Sequence, residues 1–185
     1  GIIGEVGLKY VADGGTPVTI IALTENQSPY PWNVPELKST NVKVRVYDAD
    51  YPTSVVGVSE TFTILPNIIV TAPNSSSVWY PGDLHSVTWT IDGPVSSVDI
   101  DFSQDGMATW EWQEIQRIAV GYDTSGGNAY PWTIPDAVSG NCYVRVADVS
   151  SRTEGGGTSD PNDDVFDTFD VSEQFRIRTS FTLLS

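Results

Sequence analysis

Cysteine is almost absent from this chain. Cys142 is the only one among 185 residues, so no intrachain disulfide can form. Small secreted domains that cannot build a sufficient core often depend on disulfides. A prokaryotic surface protein fits their absence better. Histidine is equally scarce, and His85 with Cys142 cannot furnish the several nitrogen or sulfur ligands of a zinc site. A Ser-His-Asp triad would have to use His85, but no strand-to-helix nucleophile elbow is present. Basic residues number nine against 24 Asp and Glu, for a formal net charge of −15. Nucleic acid needs a basic footprint, so that partner class is excluded. No apolar run approaches the roughly 20 residues of a membrane helix, so membrane insertion is not expected, and no signal peptide is visible. The run Gly155-Gly156-Gly157 precedes acidic residues that would repel phosphate. Aspartates are plentiful, but nothing singles out a pair for glycoside hydrolysis. The chain reads as a non-enzyme.

What the sequence does contain is itself, twice. Tyr30-Pro31-Trp32-Asn33-Val34-Pro35 returns as Tyr130-Pro131-Trp132-Thr133-Ile134-Pro135. Asn41-Val42-Lys43-Val44-Arg45-Val46-Tyr47-Asp48 returns as Asn141-Cys142-Tyr143-Val144-Arg145-Val146-Ala147-Asp148. Self-similarity of this kind marks an array of like modules. The 16 Gly and 12 Pro residues punctuate short apolar runs, as suits an all-β chain rich in turns.

Period-two alternation predicts the strands. Val87, Trp89 and Ile91 alternate with polar residues, as do Val98, Ile100 and Phe102 with Asp99 and Asp101. Ile115 to Val120 and Tyr130 to Ile134 follow, and then Cys142, Val144 and Val146 face inward with Tyr143 and Arg145 outward. About seven or eight strands in ~110 residues is the count of an immunoglobulin-like β-sandwich. Each sheet is expected to bury one face and wet the other. The first copy aligns only from the third strand onward: Val6-x-Leu8-x-Tyr10 with Val98-x-Ile100-x-Phe102, Ile21-Ala22-Leu23 with Ile118-Ala119-Val120, and Phe62-Thr63-Ile64 with Phe175-Arg176-Ile177. The expected organisation is a partial module over 1–65, a complete module over 66–179, and a tail over 180–185. Leu65-Pro66-Asn67 makes a short, stiff join.

A half sandwich exposes an unpaired sheet edge and a core face, and both need cover. The cover is either further sequence of a longer protein or a strand donated by a neighbouring subunit. The run from Arg178 to Ser185 is apolar enough to be that donor, or else begins the next module.

The complete copy resembles a family of immunoglobulin-like repeats of bacterial and archaeal surface proteins. It is similar too to the Ser/Thr-rich, GPI-anchored, glucan-synthesis-associated domain of fungal cell walls. The carriers are Ile68-x-Val70-x-x-Pro73, Val78-Trp79-Tyr80-Pro81-Gly82, Val87-Thr88-Trp89, Val98 to Gly106, Tyr130 to Pro135, and Asp170-Val171-Ser172-Glu173-x-Phe175-x-Ile177. The resemblance implies architecture and an extracellular or cell-surface setting, and it carries over no catalytic residues. The sequence departs from the first copy by an insertion of roughly thirteen residues before Asp170.

That insertion holds the metal candidates. Asp160, Asn162, Asp163, Asp164, Asp167 and Asp170 are dense in the oxygen ligands that calcium takes six to eight at a time. The competing reading is a solvated acidic loop. It is not an EF-hand, lacking the glycine and the terminal glutamate. Asp48 with Asp50, and Asp148, end equivalent strands and either add ligands at a module boundary or face water. Trp32, Trp79, Trp89 and Trp132 are expected to fill cores. Trp110 and Trp112 share one face of a short segment and, with Tyr122 and Tyr80, could stack on the sugar rings of a polysaccharide. They could equally pack against an edge strand. Cys142 replaces Val42 and reads as a small buried hydrophobe. Asn26-Gln27-Ser28 and Asn74-Ser75-Ser76 are glycosylation-type sequons in turns. The expected role is structural: part of a surface layer, stalk or filament, self-associating or bound to neighbouring Ig-like modules. The alternative is a carbohydrate-binding module or an accessory domain of a secreted hydrolase.

Overall fold

The structure, a computed structural model, describes residues 3–106, 116–154 and 164–179. It is an all-β, immunoglobulin-like β-sandwich fold in two compact units, Gly1–Leu65 and Pro66–Ser185. Among the described residues no helix is long and apolar enough to cross a membrane.

The first unit is one antiparallel sheet. Its strands are β1 (Glu5–Ala12), β2 (Val18–Glu25), β3 (Ser39–Asp48), β4 (Val56–Val58) and β5 (Phe62–Ile64). The order is β2-β1-β3-β4, with β5 also pairing β3. The chain reverses after β1 through Asp13 and Gly14, at φ 51° and 70°, closed by Gly15 N–H donating to Ala12 O at 2.9 Å. Positive φ at both central residues of this turn suits Asp-Gly, and residues 15–17 then lead into β2. Val6, Leu8, Val42 and Ile64 are buried on one side of the sheet.

The second unit has two sheets and a hairpin. Its strands run β6 (Asn67–Ala72), β7 (Val78–Trp79), β8 (Leu84–Asp92), β9 (Ser97–Ser103), β10 (Gln116–Asp123), β11 (Ala129–Thr133) and β12 (Ser139–Asp148). After these come β13 (Arg152–Glu154), β14 (Asp164–Phe166), β15 (Phe169–Val171) and β16 (Phe175–Ile177). One sheet has the order β11-β8-β6, and the other β10-β9-β12-β16-β7 with β15 beside β12. β7 joins β16 in parallel, so the segment opening the unit contributes to both sheets. Val87, Trp89 and Trp132 from one sheet meet Ile100, Phe102, Val144 and Phe175 from the other in a single core. Trp132 packs on Phe102 at 5.0 Å and Trp79 on Phe175 at 5.1 Å between ring centroids.

The repeat survives in register. Leu8 faces Val46 as Ile100 faces Val146, and Lys9 faces Arg45 as Asp101 faces Arg145. On the other flank the alignment needs correction. Leu8 faces Ile21, whereas Ile100 faces Ala119, so Ile21 corresponds to Ala119 and not to Ile118. Both pairings carry bulges there, and each bulge inserts a residue that simple alternation does not count.

Candidate functional site

The expectation that each sheet wets one face fails on β9. Its burial is nearly continuous, and Asp99 and Asp101 are fully enclosed. Arg145, expected outward, is 5% exposed. The cover comes from the inserted segment, whose β13–β14 hairpin sets Arg152 opposite Phe166. Phe166 is buried, with the Arg145 guanidinium 4.9 Å from its ring centroid. Beneath it the charges are closely matched. Asp101 accepts from Arg117 Nε at 2.9 Å, from Arg145 Nε at 3.0 Å and from Arg145 Nη2 at 2.6 Å. Asp99 accepts from Gly121 N–H at 2.8 Å and from Arg152 Nη1 at 3.2 Å, with Arg117 Nη1 at 3.5 Å. A buried carboxylate is tolerable only when paired and hydrogen-bonded, and here every oxygen is engaged. Three of the nine basic residues converge on this cluster.

The sequence-predicted metal residues are scattered by comparison. Asp160, Asn162 and Asp163 lie outside the described residues, and Asp164 opens β14. Asp167 is exposed. Asp170 is half-buried and accepts a 2.8 Å hydrogen bond from Val70 N–H, which ties β15 to the outer strand of the opposite sheet. Among the described residues no three His, Cys, Asp or Glu side chains converge to hold a metal. Asp48 and Asp148 do the same local work in both units. Asp48 accepts from Asp50 N–H at 2.9 Å and Asp148 from Ser150 N–H at 3.0 Å, so each carboxylate shapes the turn after its strand.

Trp110 and Trp112 lie outside the described residues. Tyr122 is half-buried at the core margin, edge-on to Trp89 and Tyr130, and its hydroxyl donates to Ala129 O at 2.8 Å. Tyr80 is 38% exposed. Trp79, Trp89 and Trp132 are buried in the core. Cys142 is enclosed there as well, and burial pushes its thiol pKa up, which leaves it inert. Asn26 is exposed, with Nδ2 donating to Ile3 O at 3.2 Å. Asn74 is exposed, and its Oδ1 accepts from Ser76 Oγ at 2.6 Å, so the residues of that sequon hold one another in a turn.

The first unit presents an open face. In the second unit, β11 is held by β8, with Tyr130 opposite Val87 and Trp132 opposite His85. The equivalent Tyr30-Pro31-Trp32 forms no strand, and no described strand of its unit pairs with it. Its sequence suits a strand, but a strand exists only with a neighbour to accept its hydrogen bonds. Val34 is 57% exposed where Ile134 is 2%, and Val46 is 36% exposed where Val146 is 0%. Trp32 still lies against Tyr10 at 5.5 Å and Phe62 at 6.5 Å. Beside it runs a groove of about 390 Å³ lined by Tyr10, Val18, Ile20, Tyr30, Trp32 and Pro35.

No protein-family model matches the chain, and no curated protein matches it. Among solved structures it is similar to the fibronectin(III)-like modules of Clostridium thermocellum CbhA. The identity is 18% over 94% of this chain and 78% of that one, at a TM-score of 0.36. A likeness of that size carries no argument about function, which therefore rests on the geometry above.

Proposed function

We propose that the chain is a non-enzymatic, extracellular structural segment of a surface layer, stalk or filament. Its second unit is a finished sandwich, and its first is a sheet completed by β-strands from outside the described residues. The observation behind this is the contrast at one pair of equivalent positions, Val46 at 36% exposure and Val146 at 0%. Covering such apolar area is worth about 25 cal/mol per Å², and strand addition would also satisfy the backbone of Tyr30–Trp32. The strands come either from further sequence in a longer protein or from a neighbouring copy through residues 180–185. Calcium on Asp160, Asn162, Asp163, Asp164, Asp167 and Asp170 would order the inserted segment and stiffen the array.

Electron microscopy of the purified chain, with and without a calcium chelator, tests this reading. Fibres or sheets are expected, and they should loosen in chelator. Truncation before Ser180 should abolish them if the tail is the donor. Isolated particles in every condition, together with a first unit that resists proteolysis as well as the second, would overturn strand completion.

A further inference from the structure

The buried arginine of the second unit has a twin in the first, and the twin lacks its carboxylate. Arg145 stands opposite Asp101 and is bound to it through Nε and Nη2. Arg45 occupies the same register position, but the residue opposite is Lys9. Like charges directly across a strand pair repel. Arg45 Nη2 donates to Pro52 O at 2.8 Å, whereas its Nε is buried and has no hydrogen-bond partner among the described residues. Lys9 Nζ lies over the Tyr47 ring, 5.4 Å from its centroid. Lys9, Arg45, Tyr47, Pro52 and Thr53 line a concavity of about 210 Å³, with no acidic residue in its wall among the described residues. Two of the nine cations of a strongly acidic chain thus face one small space.

We propose that this concavity is a carboxylate-binding site. From the concavity, the ligand's carboxylate supplies the acceptor that Asp101 supplies to Arg145 in the second unit. It accepts from the edge of the Arg45 guanidinium and is neutralised by the Lys9 ammonium. Charge-assisted bonds to a guanidinium are the strong ones, and a buried N–H without an acceptor favours any group that supplies one. Two sources share this chemistry: a small free carboxylate, or an Asp or Glu side chain of a neighbouring copy of this acidic chain. Binding here proceeds whether or not strands complete the open face.

The test is a titration of the full-length chain with acetate, following the Arg45 Nε–Hε resonance by NMR, with sodium chloride at matched ionic strength as reference. A saturable shift with acetate and a small linear one with chloride are expected. Lys9→Ala should weaken the acetate response about tenfold. Lys9→Asp supplies the acceptor internally and should abolish the response while raising the melting temperature of the first unit. Arg45→Met should also remove acetate binding, with folding checked by dispersed methyl resonances. Identical acetate and chloride curves, or a response undiminished in Lys9→Asp, would overturn the proposal. The source is read from protein concentration. A shift that grows with concentration, tracks self-association in sedimentation and is competed by acetate assigns a neighbouring copy. A concentration-independent shift assigns a free carboxylate.

Discussion

The two units run one sequence pattern through one strand register and reach different ends. Each places an arginine at the centre of β3 or β12 and an aspartate at the close of the same strand. In the second unit both faces of that sheet are covered, one by β11-β8-β6 and the other by the β13–β14 hairpin. In the first unit the described residues cover neither face fully. The outward pair Gly7 and Tyr47 stands where the second unit has Asp99 and Ala147. Bulk and charge have changed strands between copies: a large ring over a glycine in one, a buried carboxylate beside an alanine in the other. The register is therefore insensitive to what lies on the outer face, and the chemistry of that face is free to diverge.

The sharpest way to break the comparison is at the paired charges. Asp101→Ala removes the carboxylate that Arg117 Nε and the buried Arg145 bind and should destabilise the second unit by about 3–5 kcal/mol in chemical denaturation. Lys9→Ala, at the equivalent position, removes a repulsion and should leave the first unit unchanged or slightly firmer. Equal losses at the two sites would mean that the cluster owes nothing to its burial.

The next contrast is aromatic. Trp132 is buried, and Trp132→Ala should cost about 3–5 kcal/mol. Trp32 keeps its contacts with Tyr10 and Phe62 but is only half-buried, so Trp32→Ala should cost clearly less in the isolated chain. If strands complete the open face in an assembly, the two costs should converge there. Denaturation of dispersed and assembled material makes that comparison directly.

Gly7 and Tyr47 offer a smaller effect that isolates the outer face. A Cβ on Gly7 would collide with the Tyr47 ring. Gly7→Ala should therefore destabilise by about 1–3 kcal/mol through overpacking. Tyr47→Ala, which copies Ala147, should relieve the clash in the double variant. A coupling of at least about 0.5 kcal/mol in the cycle is expected, and simple additivity would show that the ring moves aside without cost.

These contrasts also mark what the sequence could disclose. Alternation along Val98-Ile100-Phe102 and Cys142-Val144-Val146 identified core-facing residues because burial on that side repeats every second residue. The same alternation misread Asp99, Asp101 and Arg145. Phe166 lies on Arg145 and Arg152 reaches Asp99 from paired strands far along the chain, which no local period can report. A signal was nonetheless present: five of only nine cations, Arg117, Arg145, Arg152, Arg176 and Arg178, fall in the half that carries Asp99 and Asp101. The one-residue shift at Ile21 and Ala119 was hidden because Ile21-Ala22-Leu23 and Ile118-Ala119-Val120 match by residue type, whereas the equivalent bulges of both pairings set Ile21 with Ala119. Lys9 against Arg45 became visible only once register placed them across from each other.

The smallest expected effect concerns pH and a contact in the second unit. Glu173 precedes β16 and accepts a 2.8 Å hydrogen bond from Ser75 N–H in the turn after β6. Hydrogen bonds from Ser75, through its hydroxyl first and its backbone N–H second, hold the carboxyl below its ordinary value of 4.5. The folded state thus binds this proton less readily than the unfolded chain does. The stabilisation is complete above the ordinary value and is lost as pH falls below it, through the lowered folded value. Glu173→Gln keeps the shape and removes the titration. Its melting temperature should lie slightly below the parent's at neutral pH, and the two should meet at the acid end of the window. The group is solvent-exposed, so added salt should shrink the difference. A gap that stays constant from neutral to acid pH would show that the contact acts through packing of the Asn74–Ser77 turn and not through the charge.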